Sequence, residues 1–239
     1  MRIAVVGARG RMGRTIIALA QEQGVEVVAA IDTGDRLGVL GDCGAEVAID
    51  FSSPAATREL ADVAGEAGIA IVSGTTGLGD EAQSALDRAA ARVPVAWEPN
   101  MSVGVHVLGA LVARAIAMLG PEFDIEIVEA HHRLKVDAPS GTAIRIADIA
   151  REARGGARLV HGREGKPGAR APAEIGVHAV RGGDVVGDHS VYLLGQGERI
   201  ELVHRASSRE LFASGALRVA RWIAGKAPGR YGMEDVLKT

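Results

Sequence analysis

The stretch Ile3-Ala-Val-Val-Gly-Ala-Arg-Gly-Arg-Met-Gly13 decides the fold. Its apolar beginning, residues 3–6, predicts a buried strand, and a helix is predicted from Arg11 to Gln23. The glycines at positions 7, 10 and 13 permit a tight turn, close approach of the backbone to a pyrophosphate, and close packing of helix on sheet. Open N–H groups at the start of a helix attract phosphate. This stretch therefore predicts a dinucleotide-binding turn.

Two arginines in this turn add charged donors beside the predicted phosphate site. Arg9 stands where the common Gly-x-Gly-x-x-Gly pattern has its second glycine, and Arg11 follows Gly10. The alternative interpretation is an ordinary glycine-rich turn with solvated arginines.

The carboxylate of Asp32 bears on the choice of cofactor. It ends the second predicted strand, 19 positions after Gly13, where a carboxylate suits the ribose hydroxyls of NAD and repels a 2′-phosphate. The next residue is Thr33, and Arg36 is close enough in sequence to reach a 2′-phosphate. We therefore expect NADH to be favoured and NADPH to be tolerated. An ordinary strand-end carboxylate is the alternative.

The first hundred residues alternate between short apolar runs and helical stretches, which is typical of right-handed βαβ units and a mostly parallel sheet. Further strands are predicted at 25–31, 47–51, 69–72 and 93–97, and helices at 54–67 and 80–92. The loops Gly74-Thr-Thr-Gly77 and Trp97-Glu-Pro-Asn-Met101 follow two of these strands. They lie at the carboxyl edge of the predicted sheet, where α/β proteins bind ligands, and their backbone groups can hold a nicotinamide ring.

Beyond Asn100 the pattern becomes that of an α+β domain. In chain order it predicts a helix at 102–119, a strand at 123–128, a helix at 140–154, an exposed loop at 155–172, strands at 174–181, 185–194 and 198–204, and a helix at 209–224 before a short tail. The three later strands are expected to form an antiparallel meander. The chain is thus predicted to be α/β, with a Rossmann-type doubly wound parallel sheet (1–101 plus 210–239) and an inserted α+β domain (102–209).

Composition excludes several classes of function. The chain is 47% hydrophobic and 24% charged with a net charge of −3, which predicts a soluble globular protein and no affinity for nucleic acid or an anionic membrane. Cys43 is the single cysteine, so no intrachain disulfide is expected and a reducing cytoplasm fits. The apolar run from Val103 to Leu119 is interrupted by His106 and Arg114, which favours a buried helix over a membrane span.

The most informative stretch is Glu129-Ala-His-His-Arg-Leu-Lys-Val-Asp-Ala-Pro-Ser-Gly-Thr-Ala143. It leads into a helix whose predicted N-cap is Ser140, and the open amides of Gly141 and Thr142 suit a carboxylate. Nitrogen donors precede this helix start: His131, His132, Arg133 and Lys135. Together they suit an anionic substrate beside a proton donor.

Two other interpretations of this stretch are a metal site and an exposed basic loop. Adjacent histidines on an extended segment point to opposite faces, so no metal site is expected. An exposed basic loop with a helix cap would explain the charges, although it would not explain why Lys135 and Asp137 stand beside a proline-preceded helix start.

The chain resembles the dihydrodipicolinate reductase family, also called 4-hydroxy-tetrahydrodipicolinate reductases, of the diaminopimelate route to lysine. The resemblance runs in order through the whole chain and rests on residues 7–13, 74–77, 99–105, 129–143, 180–189 and 204–209. It implies an NAD(P)H-dependent reduction of 4-hydroxy-tetrahydrodipicolinate to tetrahydrodipicolinate. It also implies a cytoplasmic homotetramer whose second domain binds the dicarboxylate substrate and builds the oligomer.

By position, the resemblance also implies roles for individual residues. His131 matches the acid/base residue, Lys135 the second catalytic donor, and His132 a substrate contact, while Gly141 and Thr142 match the backbone site for a substrate carboxylate. The matching cofactor contacts are Gly7, Ala8, Arg9, Gly10, Arg11, Met12, Asp32, Gly74, Thr75, Thr76, Glu98, Pro99, Asn100 and Met101. Some members carry arginine where this chain has Thr33, and the segment between Asp32 and Val47 is short.

Three other functions remain open. The nearest is another nicotinamide-dependent amino-acid dehydrogenase of the aspartate or homoserine type, which would not explain the stretch from Glu129 to Ala143. A redox-sensing DNA regulator would need a basic helix-turn-helix module, which the sequence does not offer. A catalytically silent NADH-binding protein would not need both His131 and Lys135.

Overall fold

The computed structural model describes residues 1–238, which form two units. The first unit comprises Met1–Val103 and the segment from Arg209 onward, and the second comprises Gly104–Ser208. The strands and helices are, in chain order, β1 (Arg2–Val6), α1 (Arg11–Glu22), β2 (Glu26–Ile31), α2 (Leu40–Cys43), β3 (Val47–Asp50), α3 (Pro54–Ala67), β4 (Ala70–Ser73), α4 (Asp80–Ala90), β5 (Pro94–Trp97), α5 (Val103–Leu119), β6 (Asp124–His131), α6 (Gly141–Ala153), β7 (Arg158–His161), β8 (Glu174–Arg181), β9 (Gly187–Leu194), β10 (Arg199–Ala206), α7 (Glu210–Ile223), β11 (Gly229–Tyr231) and α8 (Met233–Leu237).

The first unit is built on a six-stranded parallel sheet in the order β11-β5-β4-β3-β1-β2. Alternate side chains of each strand enter one of two apolar cores. Ile3 and Val5 pack with α1 and α7 on one face, whereas Ala4 and Val6 pack with α3 and α4 on the other. Helices on both faces explain why the strands are continuously apolar, and the predicted doubly wound parallel sheet is confirmed.

The C-terminal segment returns to the first unit. Helix α7 contributes Ala213 and Leu217 to the core that contains Ile3. The short tail expected after residue 224 contains two further elements that were not predicted: β11 joins the parallel sheet beside β5, and α8 follows it. Three residues are too few to carry a strand periodicity, so their pairing could not be read from the sequence.

The second unit holds a five-stranded mixed sheet in the order β10-β9-β6-β8-β7. Central β6 runs parallel to β8 and antiparallel to β9, so the predicted meander of three consecutive strands was wrong; only β9 and β10 form an antiparallel hairpin. The segment predicted as loop, 155–172, contains β7. Alternation of apolar residues predicts which face of a strand is buried, but not which strand lies beside it.

Helix α5, which was predicted to be a buried helix, is buried on one face and exposed on the other. Leu108 and Val112 enter the core of the second unit. Val107, Leu111 and Met118 are 42%, 50% and 73% exposed. By length and composition alone α5 could cross a membrane, a test that core helices of soluble proteins also pass.

Candidate active site

The turn after β1 has the geometry of a phosphate-binding turn. Gly7 adopts φ +80°, and a Cβ there would collide with the carbonyl of Phe51. A Cβ at Gly13 would collide with the Gly7 carbonyl. The N–H groups of Gly7 and Ala8 donate to the Ile31 carbonyl at 2.9 and 3.0 Å, which ties the turn to the end of β2. Only glycine fits the two crowded positions.

The start of α1 is open to an anion. Its N-cap is Gly10, no side chain caps it, and no acidic residue lies in its first turn. The N–H groups of Arg11 and Met12 are therefore left for a ligand, and the positive end of the helix dipole favours a phosphate there. The residues of this turn fit the pyrophosphate of a dinucleotide.

Asp32 and Arg9 stand together beside the turn. The carboxylate of Asp32 accepts hydrogen bonds from the Arg9 and Thr33 N–H groups at 2.5 and 2.8 Å. These two backbone bonds hold the pKa of Asp32 below its usual range. The Arg9 guanidinium donates to Asp35 Oδ2 at 3.1 Å. An ionised acceptor and a cation thus lie side by side where an adenosine ribose is expected.

A cleft of about 810 Å³ adjoins these residues in the first unit and is lined by Gly7, Gly10, Asp32 and Thr33, among others. Arg36 does not line this cleft in the described structure, so the expectation that it reaches a 2′-phosphate gains no support. Two arginines that the sequence reasoning missed do line it: Arg58 of α3, paired with Glu81, and Arg88 of α4, paired with Asp62. No local signal distinguishes them from solvated helix arginines.

The two glycine- and proline-containing loops at the carboxyl edge of the sheet are joined by hydrogen bonds. Trp97 Nε1 donates to the Thr75 carbonyl at 2.9 Å, and the Thr75 hydroxyl accepts from Ser52 N at 3.0 Å. A Cβ at Gly74 would collide with the Phe51 ring. The fold therefore brings the predicted nicotinamide loops to one edge.

Several of the predicted cofactor residues use their side chains for structure. Glu98 is buried and accepts from Met233 N at 2.9 Å, at the start of α8. Met101 lies in the apolar core of the first unit. Asn100 Oδ1 accepts from Ser102 N at 2.9 Å. Thr76 and Pro99 are exposed.

In the second unit, β6 extends into the predicted catalytic stretch and ends at His131, three residues beyond its predicted end. His131 is buried, whereas His132 is half-buried. After a turn in which Lys135 N donates to the His132 carbonyl at 3.1 Å, Lys135 Nζ lies 2.8 Å from Asp137 Oδ1. The hydrogen bond from Lys135 lowers the pKa of Asp137. Arg133 is exposed.

The predicted cap of α6 is confirmed. Ser140 is 2% exposed, and its hydroxyl accepts from Ala143 N at 3.2 Å. No acidic residue lies in the first turn, which contains Gly141 and Thr142. A Cβ at Gly141 would meet no atom within 4 Å, so space is open there. This helix start can receive a carboxylate.

Three residues of this site had no role in the sequence reasoning. Fully buried Glu129 contacts His131 Nδ1 at 2.7 Å and pairs with Arg181. The His189 ring lies edge-on to His131 at 5.3 Å, and its Nε2 is 3.3 Å from Ser140 Oγ. Burial lowers the pKa of His189 to about 4, so this ring is neutral near pH 7.

Within residues 1–238, no group of three or more histidine, cysteine or acidic side chains could hold a metal ion. The candidate site of the second unit combines three kinds of polar group. It presents an imidazole, an ammonium group and an open helix start, which can bind an anion and move a proton.

Comparisons with known proteins agree with these features. Sequence models of dihydrodipicolinate reductase match this chain, the N-terminus model over residues 1–101 and the C-terminus model over 104–237. The 4-hydroxy-tetrahydrodipicolinate reductases of Myxococcus xanthus (strain DK1622) and Alkalilimnicola ehrlichii (strain ATCC BAA-1101 / DSM 17681 / MLHE-1) are 45% and 46% identical. Those alignments cover 99% of this chain and 97% and 98% of the two relatives.

A solved structure is similar as well. It is the dipicolinate-bound dihydrodipicolinate reductase from Paenisporosarcina sp. TG-14, which is 25% identical with a TM-score of 0.81 over 97% of both chains. The family models span nearly all of the sequence, and curated relatives exceed two-fifths identity over their full length. This chain belongs to the dihydrodipicolinate reductase family.

Proposed function

We propose that this protein catalyses the NAD(P)H-dependent reduction of 4-hydroxy-tetrahydrodipicolinate to tetrahydrodipicolinate in lysine and diaminopimelate biosynthesis. The observation that carries the proposal is that Glu129 contacts both His131 Nδ1 and the N–H of Ser140, which places this imidazole beside the open start of α6. Lys135 lies in the loop between them. A cyclic dicarboxylate needs such a cationic, amide-lined pocket. The similar solved reductase was obtained with dipicolinate bound, a molecule of that class. Sequence and geometry give no comparable support to an amino-acid dehydrogenase of the aspartate or homoserine type.

Each residue of the second-unit site has a proposed task. The amides of Gly141 and Thr142 bind one substrate carboxylate, and His132 contacts the substrate. Lys135, now paired with Asp137, supplies a positive charge for the anion. When bound, the nicotinamide supplies a hydride to the substrate ring. His131 or Lys135 supplies the balancing proton.

For the cofactor, we propose that the first unit binds NADH preferentially and tolerates NADPH. Asp32 is an ionised acceptor for ribose hydroxyls, which disfavours a 2′-phosphate. Arg9, whose guanidinium lies beside Asp35, is the cation that can offset this repulsion. The proposed contacts are Gly7, Ala8, Arg9, Gly10, Arg11, Met12, Asp32, Gly74, Thr75 and Thr76, with Glu98, Pro99, Asn100 and Met101.

We also propose a cytoplasmic homotetramer. One face of the second sheet is covered by α5 and α6, and strands on that sheet carry apolar residues that remain exposed in the single chain. Val180 and Val203 are 51% and 39% exposed. In this proposal residues 1–101 with 210–239 serve the cofactor, and residues 102–209 serve the substrate and the oligomer. Light scattering after size exclusion measures the oligomer.

The activity is tested by following reduced-nicotinamide absorbance with purified protein, using NADH and NADPH separately. The substrate is generated in the cuvette by dihydrodipicolinate synthase from pyruvate and aspartate semialdehyde. We expect absorbance to fall only when the synthase is present, and faster with NADH. Binding of NADH without turnover would contradict the proposal and favour a silent binding protein.

The assignment of Lys135 is tested by Lys135→Ala in the same assay. We expect kcat to fall by about 10²- to 10⁴-fold because the positive charge and a proton donor are lost. NADH affinity should be retained. The matched control is Lys166→Ala, which removes an exposed lysine from the same unit and should leave kcat unchanged. Equal activity of the two variants would contradict the assignment.

A further inference from the structure

The buried carboxylate of Glu129 makes four polar contacts in the second-unit site. It is 0% exposed, and both of its carboxylate oxygens are shared. Oε2 lies 2.7 Å from His131 Nδ1 and accepts from Arg181 Nη1 at 2.7 Å. Oε1 accepts from Ser140 N at 2.9 Å and from Arg181 Nη2 at 2.8 Å. These four contacts occupy the lone pairs of the two carboxylate oxygens.

The charge of Glu129 is maintained in this position. Burial alone raises the pKa of the carboxyl, but hydrogen bonds from Arg181, His131 and the Ser140 amide outweigh it, and the pKa lies below its usual value. An ionised carboxylate only accepts hydrogen bonds. The hydrogen between the two side chains is therefore on Nδ1 of His131, and in the neutral ring Nε2 carries the lone pair.

A glycine, Gly187, lies beside the other edge of the His131 ring. A Cβ at Gly187 would lie 3.0 Å from His131 Nε2, so glycine keeps this nitrogen uncrowded. The neighbouring His189 ring lies edge-on at 5.3 Å and contacts Ser140 Oγ through its Nε2. His189 Nδ1 is buried and has no hydrogen-bond partner in the described structure. This fits a neutral ring whose Nε2–H donates to Ser140 Oγ and not to His131 Nε2.

The same carboxylate also holds the start of α6. Ser140 caps this helix through its hydroxyl, and its own N–H is bound by Glu129 Oε1. Arg181 Nη2 additionally donates to the Asp137 carbonyl at 2.6 Å, in the loop that precedes the cap. One buried ion pair thus sets the orientation of the imidazole and the position of the helix start.

We propose that Glu129, held by Arg181, is a positioning residue that selects the Nδ1–H tautomer of His131 and makes Nε2 the atom that exchanges a proton with the substrate. This rests on the proposed reductase activity. The donor in this step is the imidazolium form of His131: its N–H bond at Nε2 breaks and the proton goes to the substrate, which accepts the hydride that a bound reduced nicotinamide would supply. The electron pair of the broken bond stays on Nε2, the Nδ1–H stays with Glu129, and solvent returns the proton.

The chain offers a matched control on the opposite face of β6. Glu126 contacts His178 Nε2 at 2.8 Å, and two arginines donate to it, Arg163 at 2.8 Å and Arg170 at 2.9 Å. It is another Glu–His–Arg network on the same strand, but none of its members belongs to the proposed site. Glu126→Gln therefore reproduces the loss of a sheet carboxylate without touching His131.

The test compares Glu129→Gln, Glu129→Asp and Glu126→Gln. In Glu129→Gln the amide NH₂ can donate to His131 Nδ1 and favours the wrong tautomer, so kcat should fall on the order of 100-fold while the KM for NADH is unchanged. Glu129→Asp keeps a carboxylate and should recover part of the loss. Glu126 lies on the sheet face proposed to build the oligomer, so light scattering first verifies that Glu126→Gln keeps the oligomer of the parent. Its kcat should then stay within about twofold of the parent. Equal losses in Glu129→Gln and Glu126→Gln would overturn the proposal.

A second readout does not depend on turnover or on the variants. Long-range ¹H–¹⁵N spectra of histidine-labelled protein report which ring nitrogen carries hydrogen, and a His131→Gln variant assigns the signal. We expect Nδ1–H in the parent protein. A neutral His131 ring with its hydrogen on Nε2 and none on Nδ1 would overturn the tautomer assignment even if the reductase activity is established. Nδ1–H without turnover would contradict the reductase function and leave the tautomer intact.

Discussion

The two units each bury one carboxylate completely, Asp50 in the first and Glu129 in the second, and they satisfy these carboxylates in different ways. Asp50 ends β3 and accepts from four hydroxyls, those of Ser52, Thr57, Ser73 and Thr75. Glu129 is satisfied by a guanidinium, an imidazole and a backbone amide. In the first unit, hydroxyl donors to Asp50 hold the loops at the edge of the parallel sheet. In the second unit, the ion pair of Glu129 holds the His131 imidazole and the start of α6.

The two kinds of donor differ in how far each network tolerates a substitution of the buried carboxylate or of its partners. A hydroxyl both donates and accepts, so a network of hydroxyls can reverse its hydrogen bonds when its central acceptor is altered. A guanidinium only donates, so a carboxylate that loses it stays buried and unpaired. We therefore expect the second unit to be more sensitive to charge and to pH than the first.

The largest effect is expected for Arg181→Leu. Removal of the guanidinium leaves the fully buried Glu129 without its cation, and we expect the free energy of unfolding to fall by about 3–5 kcal/mol. Urea denaturation at pH 7 measures this. The double variant Arg181→Leu with Glu129→Gln should recover part of the loss, because the uncompensated charge is also removed. A free energy of unfolding for Arg181→Leu within about 1 kcal/mol of the parent would contradict a greater sensitivity of the second unit to charge.

The next largest effect is expected when the pH is lowered. All seven histidines lie in the second unit. Burial holds the pKa of His189 at about 4, below its usual 6.5, so between these values the unfolded chain binds a proton that the folded chain refuses. The contribution of His189 to the free energy of unfolding is therefore unchanged above pH 6.5 and is lost as pH falls toward 4, by about 3 kcal/mol at most.

Hydrogen exchange followed by mass spectrometry at pH 7 and pH 5 checks this expectation. Peptides from 104–208 should lose more protection at pH 5 than peptides from the first unit. His189→Gln should reduce that loss. Equal loss of protection in both units, unaltered by the substitution, would contradict the assigned role of His189.

A smaller effect is expected for Asp50→Asn. The amide keeps an accepting oxygen, and its NH₂ can donate to hydroxyls that reverse, so the free energy of unfolding should fall by only about 1–2 kcal/mol. Thermal unfolding of Asp50→Asn and of Arg181→Leu, measured side by side, compares the two losses of stability directly. A loss as large as that of Arg181→Leu would show that hydroxyl networks are no more tolerant than ionic ones.

The smallest effect is expected at the helix caps. Ser53 caps α3 through Ala56 N at 3.3 Å, and Ser140 caps α6 through Ala143 N at 3.2 Å. Alanine at either position should cost about 1 kcal/mol of stability. Only Ser140→Ala should also raise the KM for the substrate, because only that cap lies at the proposed carboxylate site. Equal KM values for the substrate in both variants would contradict a role of the start of α6 in substrate binding.

Sequence-based prediction succeeded where local signals were strong. The predicted helix at 54–67 coincides with α3, which has Ser53 as its cap, Pro54 in its first turn and left-handed Gly68 after its end. The prediction failed for β7 and β11, which are short, and for the neighbours of β8. Those features depend on pairing between distant segments, which no local pattern contains.

The same division holds for the site. The dinucleotide turn, the cap at Ser140 and the cluster of donors from His131 to Lys135 could be predicted from local sequence, because each is encoded within a few neighbouring residues. Only the tertiary structure decided that Arg181, 52 positions away, pairs with Glu129. That pair exists because β6 and β8 run parallel in a register that places His131 opposite Arg181. Strand pairing is chosen by burial of the whole sheet, so its consequences for the imidazole appear only in the folded chain.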